Sequence, residues 1–189
     1  MITITISGTP GSGKSTVGRL LSKKIGLKYF YSGDIFRKTA KKYNMSLEEF
    51  GSYCETRKEI DNELDDYQLE ILRNGNVIVE GRIAGWIAYR NNIPALKVIL
   101  DADIETRARR IVDRERGDVE KRKQEMFNRE KSETLRYKNY YNIDLKDISI
   151  YDLVIDSADK TSDEIADLII QKSRDKYFYM WFCSVELKW

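Results

Sequence analysis

The chain has 189 residues, a length that suits one domain with a substantial core. Its 33 basic residues nearly balance 31 acidic ones, so no global field argues for a nucleic-acid partner. It contains no histidine, which excludes His-based acid–base catalysis, His metal sites and Ser-His-Asp triads. The two cysteines, Cys54 and Cys183, are far apart and read as free thiols rather than a disulfide. No apolar run approaches the roughly 20 residues of a membrane span. No targeting peptide is visible, so a cytoplasmic protein without a membrane partner is expected.

Ile2-Thr3-Ile4-Thr5-Ile6 alternates and is β-branched, predicting a strand. Gly8-Thr9-Pro10-Gly11-Ser12-Gly13-Lys14-Ser15 follows, a complete G-x-x-x-x-G-K-[ST] segment. Val17, Leu20, Leu21 and Ile25 then mark one apolar helix face. Strand, glycine loop and helix is the context in which this motif binds phosphate. Its backbone N–H groups turn inward, and the helix N-terminus adds partial positive charge. Lys14 is suited to the β- and γ-phosphates of a nucleoside triphosphate, and the Ser15 hydroxyl to Mg²⁺. The triphosphate-binding candidates run from Gly8 to Ser15, with Thr16 beside them.

Leu27–Tyr31 reads as a second strand. A polar, helix-prone stretch follows it, with Ser46-Leu47-Glu48-Glu49 as a capping box before Phe50. Val77–Val79 is a third strand, ending at Glu80-Gly81-Arg82, and Lys97–Asp101 a fourth, with Asp103 as N-cap of the next helix. Residues 104–140 read as helix interrupted around Arg116-Gly117-Asp118. Leu153–Ile155 is a fifth strand, and Thr161–Glu164 caps a last helix through about Gln171. Alternating apolar strands and helices imply an α/β fold with a parallel sheet covered on both faces.

Ligands of such sheets bind at the carboxyl ends of the strands. Ser32-Gly33-Asp34 follows the second strand there, and Arg37 lies one helical turn on; with Arg82 it is suited to an anionic acceptor. Glu80 is a candidate holder of a magnesium-bound water, while Asp101 either competes for that role or caps the following helix. Arginines also concentrate between Arg107 and Arg136. Arg110 and Arg114 share one helix face, and Arg129, Glu133 and Arg136 share another. The two faces flank the break near Gly117, which is the pattern of a lid that closes over phosphates.

Together these residues resemble the nucleoside monophosphate kinases, most closely the archaeal type of cytidylate kinase. The resemblance is carried by ISGTPGSGKSTVGRLL, YSGDIFRK, SLEEF, VIVEGRIAGW, LDADIETRARRI, NREKSETLRYKNYY and DISIYDLVID. It implies a P-loop NTPase fold with a five-stranded parallel sheet, a monophosphate-binding insertion at 33–74 and a short lid at 112–128. It also implies ATP and Mg²⁺ as cofactors and CMP, with dCMP, as acceptor. By the same resemblance Ser32 and Arg37 contact the acceptor nucleotide and Arg82 grips its phosphate. Arg110 and Arg114 of the R-I-V-x-R pattern hold ATP. Arg129, Glu133 and Arg136 lie near the acceptor and the transferring group, with Glu133 where bacterial relatives carry aspartate. Phe36 stands where those relatives carry tyrosine. Lys14, Arg82, Arg110, Arg129 and Arg136 are the catalytic candidates. An AMP or UMP kinase, or a P-loop NTPase acting as a nucleotide switch, remain the alternatives. The aromatic segment 174–189 reads either as a tail packed on the core or as a dimer contact, leaving a monomer or a weak homodimer.

Overall fold

In the computed structural model the described residues run from 2 to 186, with side chains through Tyr177. Strand β1 (Ile4–Gly8) is buried at every position because it lies at the centre of the sheet. It pairs in parallel with β3 (Val77–Glu80) on one side and β4 (Leu96–Asp101) on the other. Strand β2 (Lys28–Tyr31) extends the sheet beyond β3, and β5 (Leu153–Asp156) extends it beyond β4, giving the order β2-β3-β1-β4-β5. The period of two in β3 divides the core. Val77 and Val79 face one layer, with Trp86 and Ile87 of α5 (Ala84–Arg90) and Leu72 of α4 (Lys58–Asn74). Ile78 faces the other with Ile4, Ile6, Val17 and Leu21, the last two from α1 (Lys14–Ile25).

Three helices separate β2 from β3: α2 (Ser32–Lys42), α3 (Leu47–Cys54) and α4. Helix α3 starts on the expected capping box, with the Ser46 side chain accepting from Glu49 N–H and the Glu49 side chain accepting from Ser46 N–H. Phe50 is fully buried under α2 and makes an edge contact with Phe36. Beyond β4, α6 (Ile104–Glu115) is capped by Asp103, whose carboxylate accepts from Thr106 N–H. The predicted break separates it from α7 (Val119–Tyr141). Arg116 and Gly117 there both have positive φ, 60° and 111°, so two left-handed residues turn the chain between the helices.

The last helix differs most from the sequence reading. Helix α8 runs from Ser162 to Glu186 rather than ending near Gln171, because no glycine or proline interrupts it. The start of the 174–189 segment lies against the core. The Tyr177 hydroxyl accepts from Thr3 N–H at 2.8 Å and donates to Thr3 O at 2.7 Å, and Lys176 pairs with Asp152 at 2.8 Å. The remaining aromatic side chains of that segment, and Cys183, lie outside the described residues. Cys54 is a buried free thiol, its pKa pushed up to about 11 by burial. Among the described residues no helix is long and apolar enough to cross a membrane.

Candidate active site

The glycine loop leaves β1 at Gly8, where φ is 142° and a Cβ would collide with the Leu100 carbonyl oxygen. Only glycine lets the loop pass this close to β4. Gly13 is left-handed at the start of α1, and no side chain caps that helix. Its first N–H groups are therefore offered to an anion rather than to a serine or aspartate. Lys14 folds back to donate to Thr9 O at 2.6 Å, and Thr9 itself donates to Asp101. Asp101 is thus tied to the loop, while Asp103 caps the helix.

Glu80, at the end of β3, is 1% exposed. Its two oxygens accept from the Ser15 hydroxyl, at 2.8 Å, and from the Tyr29 hydroxyl. A buried carboxylate and a hydroxyl are hard oxygen donors, and they fit Mg²⁺ delivered with a triphosphate. Among the described residues no group of three or more carboxylate, Cys or His side chains could hold a metal unaided. Such a cation would draw its remaining ligands from phosphates and water.

A cleft of about 870 Å³ opens over the carboxyl ends of the strands. On its far side stands Glu133 of α7, with Arg82 Nε 2.7 Å from one carboxylate oxygen and Arg129 Nε 2.9 Å from the other. The Arg82 contact is an ion pair without hydrogen-bond alignment. Burial alone would raise the Glu133 pKa, but Arg129 and Arg82 outweigh it and hold the carboxyl at about 2. Lys14 faces the same cluster. Burial lowers its pKa from 10.5 to about 8; Glu80 opposes that fall, and Arg82 and Arg129 deepen it. Arg136 is buried and ion-paired to Asp61 of α4 at 2.5 and 2.7 Å, with its Nε unpartnered.

Gly8, Pro10, Gly11, Ser12, Gly13, Lys14, Ser15 and Thr16 all line the cleft, and so do Ser32, Gly33, Arg37, Glu80 and Arg82. Arg110, Arg114, Arg129, Glu133 and Arg136 complete the sequence candidates found there. Arg110 is engaged at the cleft wall, donating to Ser157 O at 2.6 Å and Ser157 Oγ at 3.0 Å, and Arg114 pairs with exposed Glu115 at 2.5 Å. The structure does not bring Asp34 into the cleft. It sits on the outer face of α2, exposed and paired to Lys38 one turn on at 2.7 Å, while Gly33 and Phe36 lie round the helix on the cleft side.

Three participants escaped the sequence reading. Asp61 and Gln68 lie at buried positions of α4, in register with Leu72. Polar residues on the stripe of spacing 61, 65, 68 and 72 were the available signal. Arg107 is the third. It donates to Ala102 O and Pro10 O and pairs with Glu130 of α7 at 2.5 Å, which ties the glycine loop to both arginine-bearing helices.

A glycine loop, a half-buried lysine and opposed arginines at the carboxyl edge of a parallel sheet define a P-loop nucleotide-binding protein of the small-kinase fold. The likeness to solved structures agrees with that fold. A gluconokinase from Sinorhizobium meliloti superposes with a TM-score of 0.65 at 17% identity, covering 97% of each chain. A shikimate kinase from Acinetobacter baumannii does so at 0.57 and 17%, covering 90% of this chain and 92% of its own. More specifically, the chain belongs to the cytidylate kinase-like family, whose model matches residues 3–159. A cytidylate kinase from Methanococcus maripaludis is 47% identical over 91% of this chain and 97% of its own length. Another from Methanocaldococcus jannaschii is 47% identical over 82% and 88%.

Proposed function

We propose that the chain transfers the γ-phosphoryl group of ATP to CMP, and to dCMP, giving ADP and the corresponding cytidine diphosphate. The family and its similar relatives named cytidylate kinase support the acceptor class. One observation carries the site. Lys14, on the glycine loop, lines the same cleft as Arg82 and Arg129, which flank Glu133 at 2.7 and 2.9 Å on its far side. Two phosphate-bearing ligands can therefore meet there, one on the loop and one on the arginines.

The acceptor's own phosphate oxygen attacks the γ-phosphorus as the bond to the ADP oxygen breaks. The acceptor is already anionic near neutral pH, so no side-chain nucleophile or strong general base is needed. A chain without histidine suits this chemistry. The work left to the protein is positioning and charge stabilisation. Lys14 is assigned to the donor phosphates, and Arg37 and Arg82 to the acceptor phosphate. Arg129, steered by Glu133, is assigned to the equatorial oxygens of the transferring group. Mg²⁺ brought with ATP would neutralise phosphate charge, and Ser15 and Glu80 are the residues that would hold it. Residues 33–74 serve as the monophosphate-binding region and 112–128 as the lid. Closure about Arg116 and Gly117 brings Arg110 and Arg114 to the donor phosphates and excludes water.

The test is ADP formation from MgATP with CMP, dCMP, UMP, AMP or GMP as sole acceptor, beside a control without acceptor. Turnover with CMP and dCMP far above the others is expected. Equal turnover with and without acceptors would mean that the chain is an ATPase or a switch.

A further inference from the structure

The cleft wall beside Arg82 carries a polar group that the phosphate chemistry leaves unused. Gln68 of α4 is 2% exposed and lines the cleft together with Ser32 and Leu64. Its Nε2 donates to Asp65 Oδ1 at 2.8 Å, one turn back on the same helix. Burial pushes the Asp65 pKa up to about 7, so above neutral pH its carboxylate is ionised and only accepts; the amide nitrogen then faces Asp65 and the amide oxygen faces away from it. That oxygen, Oε1, is buried and has no hydrogen-bond partner. Gly81 locates it. A Cβ at Gly81 would collide with Gln68 Oε1 and stand 2.7 Å from Ser32 Oγ. Ser32 already donates its hydrogen to Glu80 O at 3.0 Å, so it too presents lone pairs. Two buried acceptors thus converge beside Gly81, where the missing side chain leaves room for both against the cleft wall.

We infer that Gln68 reads the acceptor base: its Oε1, with Ser32 Oγ, accepts from the exocyclic amine of cytosine, and Asp65 holds the amide in that orientation. The inference rests on the cytidylate acceptor proposed above. Cytosine carries an –NH₂ group, with two hydrogens to give, where uracil carries a carbonyl. A uracil carbonyl would meet two acceptors. While Asp65 is ionised, the Gln68 amide cannot turn to greet it without setting its own oxygen against the Asp65 carboxylate. The pair therefore selects against uracil as well as for cytosine. Phe36 and Leu64, which line the same cleft, supply apolar surface for the faces of the ring. Asp65 acts through Gln68 and is a positioning residue.

Two variants test this, each measured at about pH 8.5, where Asp65 is ionised, with CMP and UMP under saturating MgATP, and checked for an unchanged melting temperature and ATP KM. Gln68→Met keeps the length and removes the acceptor. Its kcat/KM for CMP should fall about 100-fold while that for UMP changes little, collapsing the CMP/UMP ratio. Asp65→Asn keeps the shape but can donate to Gln68 Oε1, freeing the amide to turn its nitrogen to the cleft. That variant should gain activity on UMP as it loses it on CMP, a change that simple loosening of α4 would not give. If Gln68→Met fails to fold, the Asp65→Asn ratio decides. A wild-type enzyme that prefers CMP, with variants that keep its ratio, overturns the role of Gln68 and leaves the kinase reading standing. A wild-type enzyme indifferent to the base overturns the acceptor reading itself.

Discussion

The Ser15 hydroxyl donates to Glu80 Oε1 across 2.8 Å, joining the first turn of α1 to the end of β3. This contact sets the two oxygen donors suited to Mg²⁺ side by side, although 65 residues separate them in the sequence. Glu80→Gln keeps the shape and removes the charge. The variant is expected to lose about 100-fold in kcat and to need more Mg²⁺ for half-maximal rate. A Mg²⁺ titration of both proteins checks it; overlapping curves would separate Glu80 from the cation.

On the proposed reading Lys14 holds ATP in its protonated form; burial brings its pKa down to about 8, so in the free enzyme that form is depleted as pH rises through that value. ATP affinity should therefore be level below pH 8 and weaken above it, by roughly tenfold per unit once most of the lysine is neutral. Titrating ATP binding between pH 6.5 and 9.5 reads this directly. Lys14→Ala should bind ATP weakly with no such break and lose at least about 100-fold in kcat. A break that survives in the variant would assign it to another group.

Glu133 titrates at about 2 in the fold against an ordinary 4.5, because Arg129 and Arg82 outweigh its burial. A depressed carboxylate pKa stabilises above the unfolded value and is lost as pH falls toward the folded one. Glu133→Gln should thus cost about 3 kcal/mol at pH 7, as one partner of a buried cluster is removed. The gap to wild type should shrink below about pH 4.5 and close near 2. Urea unfolding across that range measures it, and a gap independent of pH would point to packing rather than charge.

Tyr177 closes the start of the 174–189 segment onto β1 through two hydrogen bonds to Thr3. Tyr177→Phe removes both and is expected to cost about 1 to 2 kcal/mol in urea unfolding, with kinetics unchanged. An unaltered midpoint would mean that this contact contributes nothing to the fold.

What the sequence made legible was local. The glycine loop, the Asp103 and Ser46 caps and the break before Asp118 each depend on residues within a few positions, and each lies where the spacing put it. Strand ends marked Ser32, Glu80 and Arg82 because a parallel sheet sends its carboxyl edge to one side. The same rule misled at Asp34, where the helical period turns the side chain outward to Lys38. The Arg136–Asp61 and Gln68–Gly81 relationships were hidden for another reason. They join helix α4 to segments far along the chain, and only the folded layers bring them together. Helix α8 outran its expected end because an aromatic-rich segment carries no stop signal to read.

In the proposed reaction the γ-phosphoryl group passes to CMP in the cleft between the glycine loop and Arg82. The most direct measurement follows the label from ATP marked at the γ-phosphorus, incubated with CMP and Mg²⁺ and separated by chromatography. The expected result is label in CDP, with little in inorganic phosphate, and its loss in Lys14→Ala. Label released as inorganic phosphate, at a rate that CMP does not change, would contradict the account.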